Sequence, residues 1–150
     1  MNDIFFSGTF GGETLSLAAA KATIGKMQQV KFDQYIWSLG EYLIEQYQEH
    51  CSEFSMFELK GLAPWTFLLI NEGHDTPANT IKSWLIQELC KRGILFIGSH
   101  NLSLSHTKKD IDKLINAYRE LFRQAEILNE QHSFAAHLDG LEIESIFKVR

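Results

Sequence analysis

Apolar side chains recur three or four residues apart in four segments of the chain, the spacing that places them on one face of an α-helix. The segments contain Leu17, Ala20, Ile24 and Met27; Ile36, Leu39, Leu43 and Tyr47; Ile81, Trp84, Leu85 and Leu89; and Ile111, Leu114, Ile115, Tyr118, Leu121, Phe122 and Ala125. The last set is the longest and predicts a long amphipathic helix. Asp33 precedes the second set and is predicted to be the N-cap of that helix.

Polar residues and glycine also mark the ends of the later helices. Thr76 and Pro77 predict the start of the third, because threonine can accept an orphan amide hydrogen bond and proline suits the first helical position. This helix is expected to end in the Lys-Arg-Gly sequence at 91–93, where cations and a left-handed glycine are favourable. Thr107 and Asp110 have the spacing of a capping box before the fourth helix.

Shorter apolar or alternating runs predict strands between the helices. FSMFELKG (54–61) and WTFLLI (65–70) predict two strands, and the second is expected to be covered on both faces because it is almost wholly apolar. GILFIG (93–98) predicts a short buried strand and NLSLS (101–105) a half-exposed one, while IFKVR at the end (146–150) is expected to be extended. The order of elements predicts an α+β fold with a small antiparallel or mixed sheet packed by helices.

Composition narrows the class of protein. The chain has 150 residues, 45% of them hydrophobic, and a formal net charge of −5 with acids and bases interleaved. This balance argues against nucleic acid or an anionic membrane as a partner, because both select a clustered basic face. The sequence predicts neither a signal peptide nor a membrane span. Cys51 and Cys90 are isolated and are predicted to be reduced, buried thiols, so the protein is expected to be cytoplasmic.

The stretch SGTFGGETLS (7–16) is the first candidate for chemistry. A glycine-rich turn that leads into a helix can hold an anion such as a phosphate with the amides of residues 8–12 and the hydroxyl of Thr9. It lacks the Gly-Lys-Ser/Thr of a P-loop and the preceding strand of a dinucleotide fingerprint. The alternative interpretation is a turn that only lets the following helix pack closely.

The remaining polar residues predict little catalytic chemistry. The histidines form no His/Cys cluster, so no metal site is expected. His100, in a predicted loop GSHN between two strands, is the histidine placed nearest to a site, although an exposed loop histidine with no role is the more common outcome. The serines lie in no nucleophile elbow, and Lys21, Lys26 and Lys31 are expected to be exposed. We therefore assign no catalytic residue.

Two long segments resemble class III pyridoxal-phosphate (PLP) aminotransferases, and glutamate-1-semialdehyde 2,1-aminomutase in particular. SGTFGGETLSLAAAKATI is similar to the segment that follows the catalytic lysine in that family. KSWLIQELCKRGILFIGSHNLSLSHTKKDIDKLINAYRELF resembles the C-terminal small domain of these fold-type I enzymes. The resemblance implies that residues 1–31 correspond to the end of the large domain and residues 32–150 to the small domain.

The resemblance also implies roles for particular residues. Gly8 and Thr9 would bind the cofactor phosphate of the neighbouring subunit in a dimer, and His100 and Asn101 would lie at the mouth of the substrate site. The Schiff-base lysine and the ring contacts of the family lie upstream of Met1. The isolated chain is therefore expected to bind PLP weakly or not at all, and to be inactive.

Two departures from the family pattern accompany this resemblance. The chain has Gly-Gly-Glu-Thr at 11–14 where the family often has Ser-Gly-Asn-Pro, and Glu13 would lie near a phosphate. The chain also runs almost directly from Ser99 into LSLS, without the longer insert of the semialdehyde aminomutases. The substrate therefore need not be the semialdehyde, and the family implies only a small amino or carbonyl compound.

Three hypotheses follow from the sequence. The first is the C-terminal portion of such an enzyme, which would need a large-domain partner and would be part of a homo-oligomer. The second is a non-catalytic interaction or regulatory module derived from the same fold. The third is an unrelated α+β domain whose similarity is accidental.

Overall fold

The computed structural model describes residues 10–71 and 76–143. The chain divides into two compact units, Met1–Tyr35 and Ile36–Arg150. The correspondence of residues 1–31 to the end of a large domain stays a prediction. The predicted extended conformation of IFKVR lies outside the described residues, and so do Gly8 and Thr9.

Helix α1 (Thr14–Gln29) is the main element of the first unit and confirms the helix predicted after the glycine turn. The turn before it has Gly12 at φ +80°, a conformation that suits glycine. The carboxylate of Glu13 caps the helix by accepting hydrogen bonds from the N–H groups of Leu15 and Ser16. No side chain of α1 is buried.

Three longer helices and one short one follow. They are α2 (Phe32–His50), α3 (Ala78–Lys91), α4 (Lys108–Glu130) and a 3₁₀ helix (Phe134–His137). Asp33 lies inside the first turn of α2, so its prediction as N-cap is wrong. The predicted cap at Thr76, with proline at the first helical position, is wrong by one residue: Pro77 is itself the N-cap of α3, because its ψ of 137° is extended and helical geometry begins only at Ala78. The predicted end of α3 around residues 91–93 is confirmed, with Gly93 at φ +70°.

Among the described residues, the sheet has three antiparallel strands in the order β1-β2-β3. They are β1 (Phe57–Leu62), β2 (Trp65–Ile70) and β3 (Ser99–Asn101). Phe57 lies opposite Ile70 across the first pair, and Trp65 lies opposite Asn101 across the second. The predicted α+β fold with a small antiparallel sheet is therefore confirmed.

The strands predicted at 93–98 and 101–105 are wrong in their placement. Residues 93–98 form an irregular segment: Gly93, at φ +70°, lies in the turn after α3, and regular pairing with β2 begins only at Ser99. Phe96 of this segment is buried, whereas Leu95 is 90% exposed. The chain then forms the short strand β3 between the two predicted ones.

Strand β2 is covered on one face only, which corrects the prediction that both faces are buried. Its burial alternates, so Thr66 and Leu68 are buried while Trp65, Phe67 and Leu69 are exposed. The helices pack against the buried face. An apolar run of this length is therefore compatible with a half-exposed antiparallel strand.

The core lies between this buried face and the apolar side of α4, which confirms the long amphipathic helix. Phe122 of α4 stacks on Phe57 of β1 with ring centroids 3.9 Å apart, and on Tyr118 at 5.0 Å. Trp84 of α3 packs edge-on against Phe134. Cys51 is buried as predicted, whereas Cys90 is exposed, so its predicted burial is wrong. Within the described residues, no helix has the length and apolarity that a membrane crossing requires.

Candidate functional site

The main cavity of the second unit lies between the 93–98 segment, β3 and the start of α4. It has a volume of about 500 Å³, and Leu43 of α2 contributes to its floor. We call it the β3–α4 groove and define it by Gly93–Ile97, Ser99–Leu102, His106, Asp110, Ile111, Lys113 and Leu114 together with Leu43. Both substrate-mouth candidates predicted from the sequence line this groove.

His100 is fixed in the wall of the groove by two hydrogen bonds. Its Nδ1 lies 2.9 Å from the hydroxyl oxygen of Thr66 on β2, and its Nε2 lies 2.7 Å from the phenol oxygen of Tyr118 on α4. The ring of Phe96 lies 5.3 Å away, centroid to centroid. The imidazole therefore connects the sheet to α4, and both of its nitrogens are occupied.

Burial controls the protonation of this network. It lowers the pKa of His100 to about 4, and a hydrogen bond with the main chain of Thr66 opposes this only in part. Burial also raises the pKa of Tyr118 well above its ordinary value. Both groups are therefore neutral near pH 7, and neither is poised to exchange a proton with a ligand.

The structure separates the two predicted mouth residues. His100 lies in the centre of β3 and is only 7% exposed, so the predicted loop position and the common expectation of an exposed histidine are wrong. Asn101 is exposed, and its Nδ2 donates to the Ser99 hydroxyl at 3.4 Å. Because successive strand residues point to opposite faces, only Asn101 presents its side chain to solvent.

Three other polar side chains lie at the rim of the groove. The Asp110 carboxylate accepts hydrogen bonds from the Thr107 N–H at 2.8 Å and hydroxyl at 2.7 Å, which confirms the predicted pairing at the start of α4. The same bonds lower the pKa of Asp110. His106 Nδ1 accepts from the N–H of Ser103, and Lys113 donates to the Gly93 carbonyl at 3.5 Å.

The described residues do not by themselves fit PLP. Every lysine at 10–71 and 76–143 is at least partly exposed, so this part of the chain offers no buried amine for a Schiff base. The predicted phosphate ligands Gly8 and Thr9 lie outside the described residues. At the start of α1, Glu13 already pairs two of the N–H groups that a phosphate would use. Among the described residues, no group of His, Cys, Asp and Glu could hold a metal ion.

Sequence reasoning missed the partners of His100. Thr66 is 34 residues away in sequence and Tyr118 is 18 residues away. The contacts depend on the pairing of β2 with β3 and on the packing of α4, and neither is visible in a local pattern. The one available signal is the polar Thr66 in an otherwise apolar strand, because a buried hydroxyl needs a partner.

Solved structures that share this fold contain PLP. The FumI protein of Sphingopyxis sp. MTA144, in its PLP internal aldimine form, matches 90% of this chain with a TM-score of 0.68 and 20% identity. A structure described as a transaminase with PLP bound matches 63% of this chain with a TM-score of 0.54 and 21% identity. No protein-family model and no curated protein sequence matches the chain.

The aligned region is most of this chain but only a small part of each solved structure. The chain spans 31% of the length of the FumI structure and 24% of the length of the transaminase. Its α+β fold is therefore that of a fragment of a PLP transaminase. At these identities the likeness establishes the fold alone.

Proposed function

We propose that this chain is the C-terminal part, chiefly the small domain, of a class III PLP-dependent aminotransferase or aminomutase. The observation that supports the proposal most strongly is the fold match, in which 90% of this chain corresponds to 31% of a PLP protein. The resemblance of the SGTFGGETLSLAAAKATI segment to the glutamate-1-semialdehyde aminomutases suggests the subtype. When bound to the complete enzyme, PLP supplies the chemistry of amino-group transfer.

The proposal gives this chain binding and positioning roles. Gly8 and Thr9 would hold the cofactor phosphate of a neighbouring subunit in a cytoplasmic homo-oligomer. Asn101, which is exposed on β3, would contact a small amino or carbonyl substrate at the mouth of the site. His100 would be a positioning residue, because its bonds to Thr66 and Tyr118 hold β3 in place.

The isolated chain is expected to form no specific adduct with PLP. Purified chain is incubated with PLP and reduced with borohydride, and the intact mass and modified peptides are then measured. Because the described lysines are exposed, we expect only low, scattered labelling, equal to that of urea-unfolded chain. Stoichiometric labelling of one lysine in the folded chain alone, for instance Lys21 or Lys26, would contradict the proposal.

A second candidate function is a non-catalytic interaction module built on the same fold. The observation that favours it is the exposed apolar face of the sheet, formed by Trp65, Phe67 and Leu69. A contiguous exposed apolar patch often marks a protein interaction site, whereas single scattered apolar residues on a surface are ordinary. A well-folded chain that binds neither PLP nor a PLP-carrying partner would favour this function over the first.

A further inference from the structure

One side of α3 carries polar side chains that contact the last described residues of the chain. They recur three or four residues apart and therefore share one face of the helix: Thr80, Ser83, Gln87 and Lys91. We call them the α3 polar row. Thr80 and Ser83 are only 3% and 6% exposed, and both bond to the segment Asp139–Ile143, which we call the strap.

Two members of the α3 polar row bind the main chain around the strap. Gln87 accepts a hydrogen bond from the Asp139 N–H at 2.7 Å and donates one to the His137 carbonyl at 2.9 Å. The Ser83 hydroxyl oxygen accepts a hydrogen bond from the Ile143 N–H at 2.8 Å. Because the strap lies outside helices and strands, these side chains satisfy main-chain groups that a neighbouring strand would otherwise pair.

The other two members bind carboxylates of the strap. The Thr80 hydroxyl donates a hydrogen bond to the Glu142 carboxylate at 2.6 Å. At the other end of the row, the Lys91 ammonium lies 2.8 Å from the Asp139 carboxylate. The row therefore matches one kind of segment, whose main chain is unpaired and which carries an acidic residue near each end.

The strap is held without apolar contacts to the core. All five of its residues are exposed, and Leu141 is 98% exposed. Leu138, directly before the strap, does pack against the core and anchors its base. Polar contacts that water can replace contribute little net stability, so the strap should separate from α3 at a much lower free energy than core unfolding requires.

We propose that the α3 polar row is a docking site for an extended acidic segment, which this chain fills with its own strap. The strap opens and closes while the rest of the second unit stays folded. Opening uncovers the hydroxyls of Thr80 and Ser83 and leaves the row accessible. All of these contacts lie within the second unit, so the proposal requires no cofactor and does not depend on the proposed function.

The test is native-state hydrogen exchange of the full chain, measured amide by amide by NMR at urea concentrations below the unfolding transition. The informative amides are those of Asp139 and Ile143, because side chains of α3 are their acceptors. We expect them to exchange about ten- to a hundredfold more slowly than in an unstructured peptide, at a rate independent of urea. The amides of Leu121 and Phe122 in α4 should exchange far more slowly and should accelerate with urea.

Substitutions in the row and in the strap test what holds the strap closed. Gln87→Ala removes the acceptor of the Asp139 N–H, and if the strap opens as a unit, exchange at Ile143 should also accelerate, by about fivefold or more. The double variant D139N/E142Q removes both carboxylate charges and should accelerate exchange at the same two amides. Gln124→Ala makes a matched change at an exposed position of α4 and should alter neither. The α4 amides report whether each variant keeps its fold.

Four outcomes would overturn the proposal. Urea-dependent exchange of the strap amides at the rate of the α4 amides would show that the strap separates only when the domain unfolds. Exchange at the rate of an unstructured peptide in the wild type would show that the strap is not docked. Equal exchange in Gln87→Ala and Gln124→Ala would show that the row does not hold it, and wild-type exchange in D139N/E142Q would show that the row does not select acidic residues.

Discussion

Replacing Gly40 by alanine is expected to cause the largest loss of stability of any single methyl addition in the second unit. Gly40 is buried in α2 where the helix meets the turn between β1 and β2, and a Cβ there would overlap the main-chain carbonyl group of Ala63. A Cβ and a main-chain carbonyl cannot rotate away from each other as flexible side chains can. To accommodate the methyl group, α2 and the β1–β2 turn must therefore move apart. We expect the free energy of unfolding to fall by about 3 kcal/mol or more in urea denaturation.

Gly25 provides the matched control, because it also lies within a helix but has open space around it. No atom lies within 4 Å of a Cβ built at Gly25. Gly25→Ala should therefore leave stability unchanged or raise it by up to about 1 kcal/mol, through the better helix propensity of alanine. Equal unfolding midpoints for Gly40→Ala and Gly25→Ala would show that α2 does not pack against the turn as described.

Acid is expected to destabilise the fold through the buried imidazole of His100. The pKa of His100 is about 4 in the folded chain and 6.5 as its ordinary value, so the unfolded state binds the proton first as the pH falls. The stabilisation from neutral His100 is therefore present above pH 6.5 and is lost between pH 6.5 and 4. The total loss is about 3 kcal/mol, at 1.36 kcal/mol for each pKa unit.

The measurement is the free energy of unfolding at a series of pH values for the wild type and two variants. His100→Gln removes the titrating group, so its stability should depend far less on pH between 6.5 and 4. Tyr118→Phe retains His100 and should be less stable at every pH, because a buried hydrogen bond is lost, while keeping the wild-type slope. Identical slopes for the wild type and His100→Gln would contradict the buried, neutral state of His100.

The helices could be predicted from the sequence because their apolar positions recur over several turns. The apolar residues from Ile111 to Ala125 recur over so many turns that only the helical period fits their spacing. The structure has helix α4 over this segment, as predicted. The strands of this chain are short, so the conformation of one or two residues decides where a strand begins and ends. The run GILFIG is apolar enough for a buried strand, yet Gly93 belongs to the turn after α3, and only Ser99–Asn101 form the strand that pairs with β2.

The site was less predictable than the fold. The sequence indicated that His100 and Asn101 lie near a cavity, and both line the β3–α4 groove. It could not indicate that their side chains point apart. That depends on which residues of the three-residue strand β3 face the helices and which face solvent. It also could not indicate that the Tyr118 hydroxyl hydrogen-bonds to the imidazole of His100. In the sequence, Tyr118 is simply one of the apolar-face residues of α4 and needs no further explanation.

If this chain is the small-domain part of a PLP enzyme, the reactive lysine of that enzyme lies elsewhere. The most direct test is to treat an extract of the source cells with borohydride, isolate the chain with an antibody and map PLP-modified peptides. We expect a reduced PLP adduct on a lysine outside these 150 residues, in the same or an associated polypeptide. An adduct on a lysine within them, or no adduct in any polypeptide isolated with the chain, would contradict the claim.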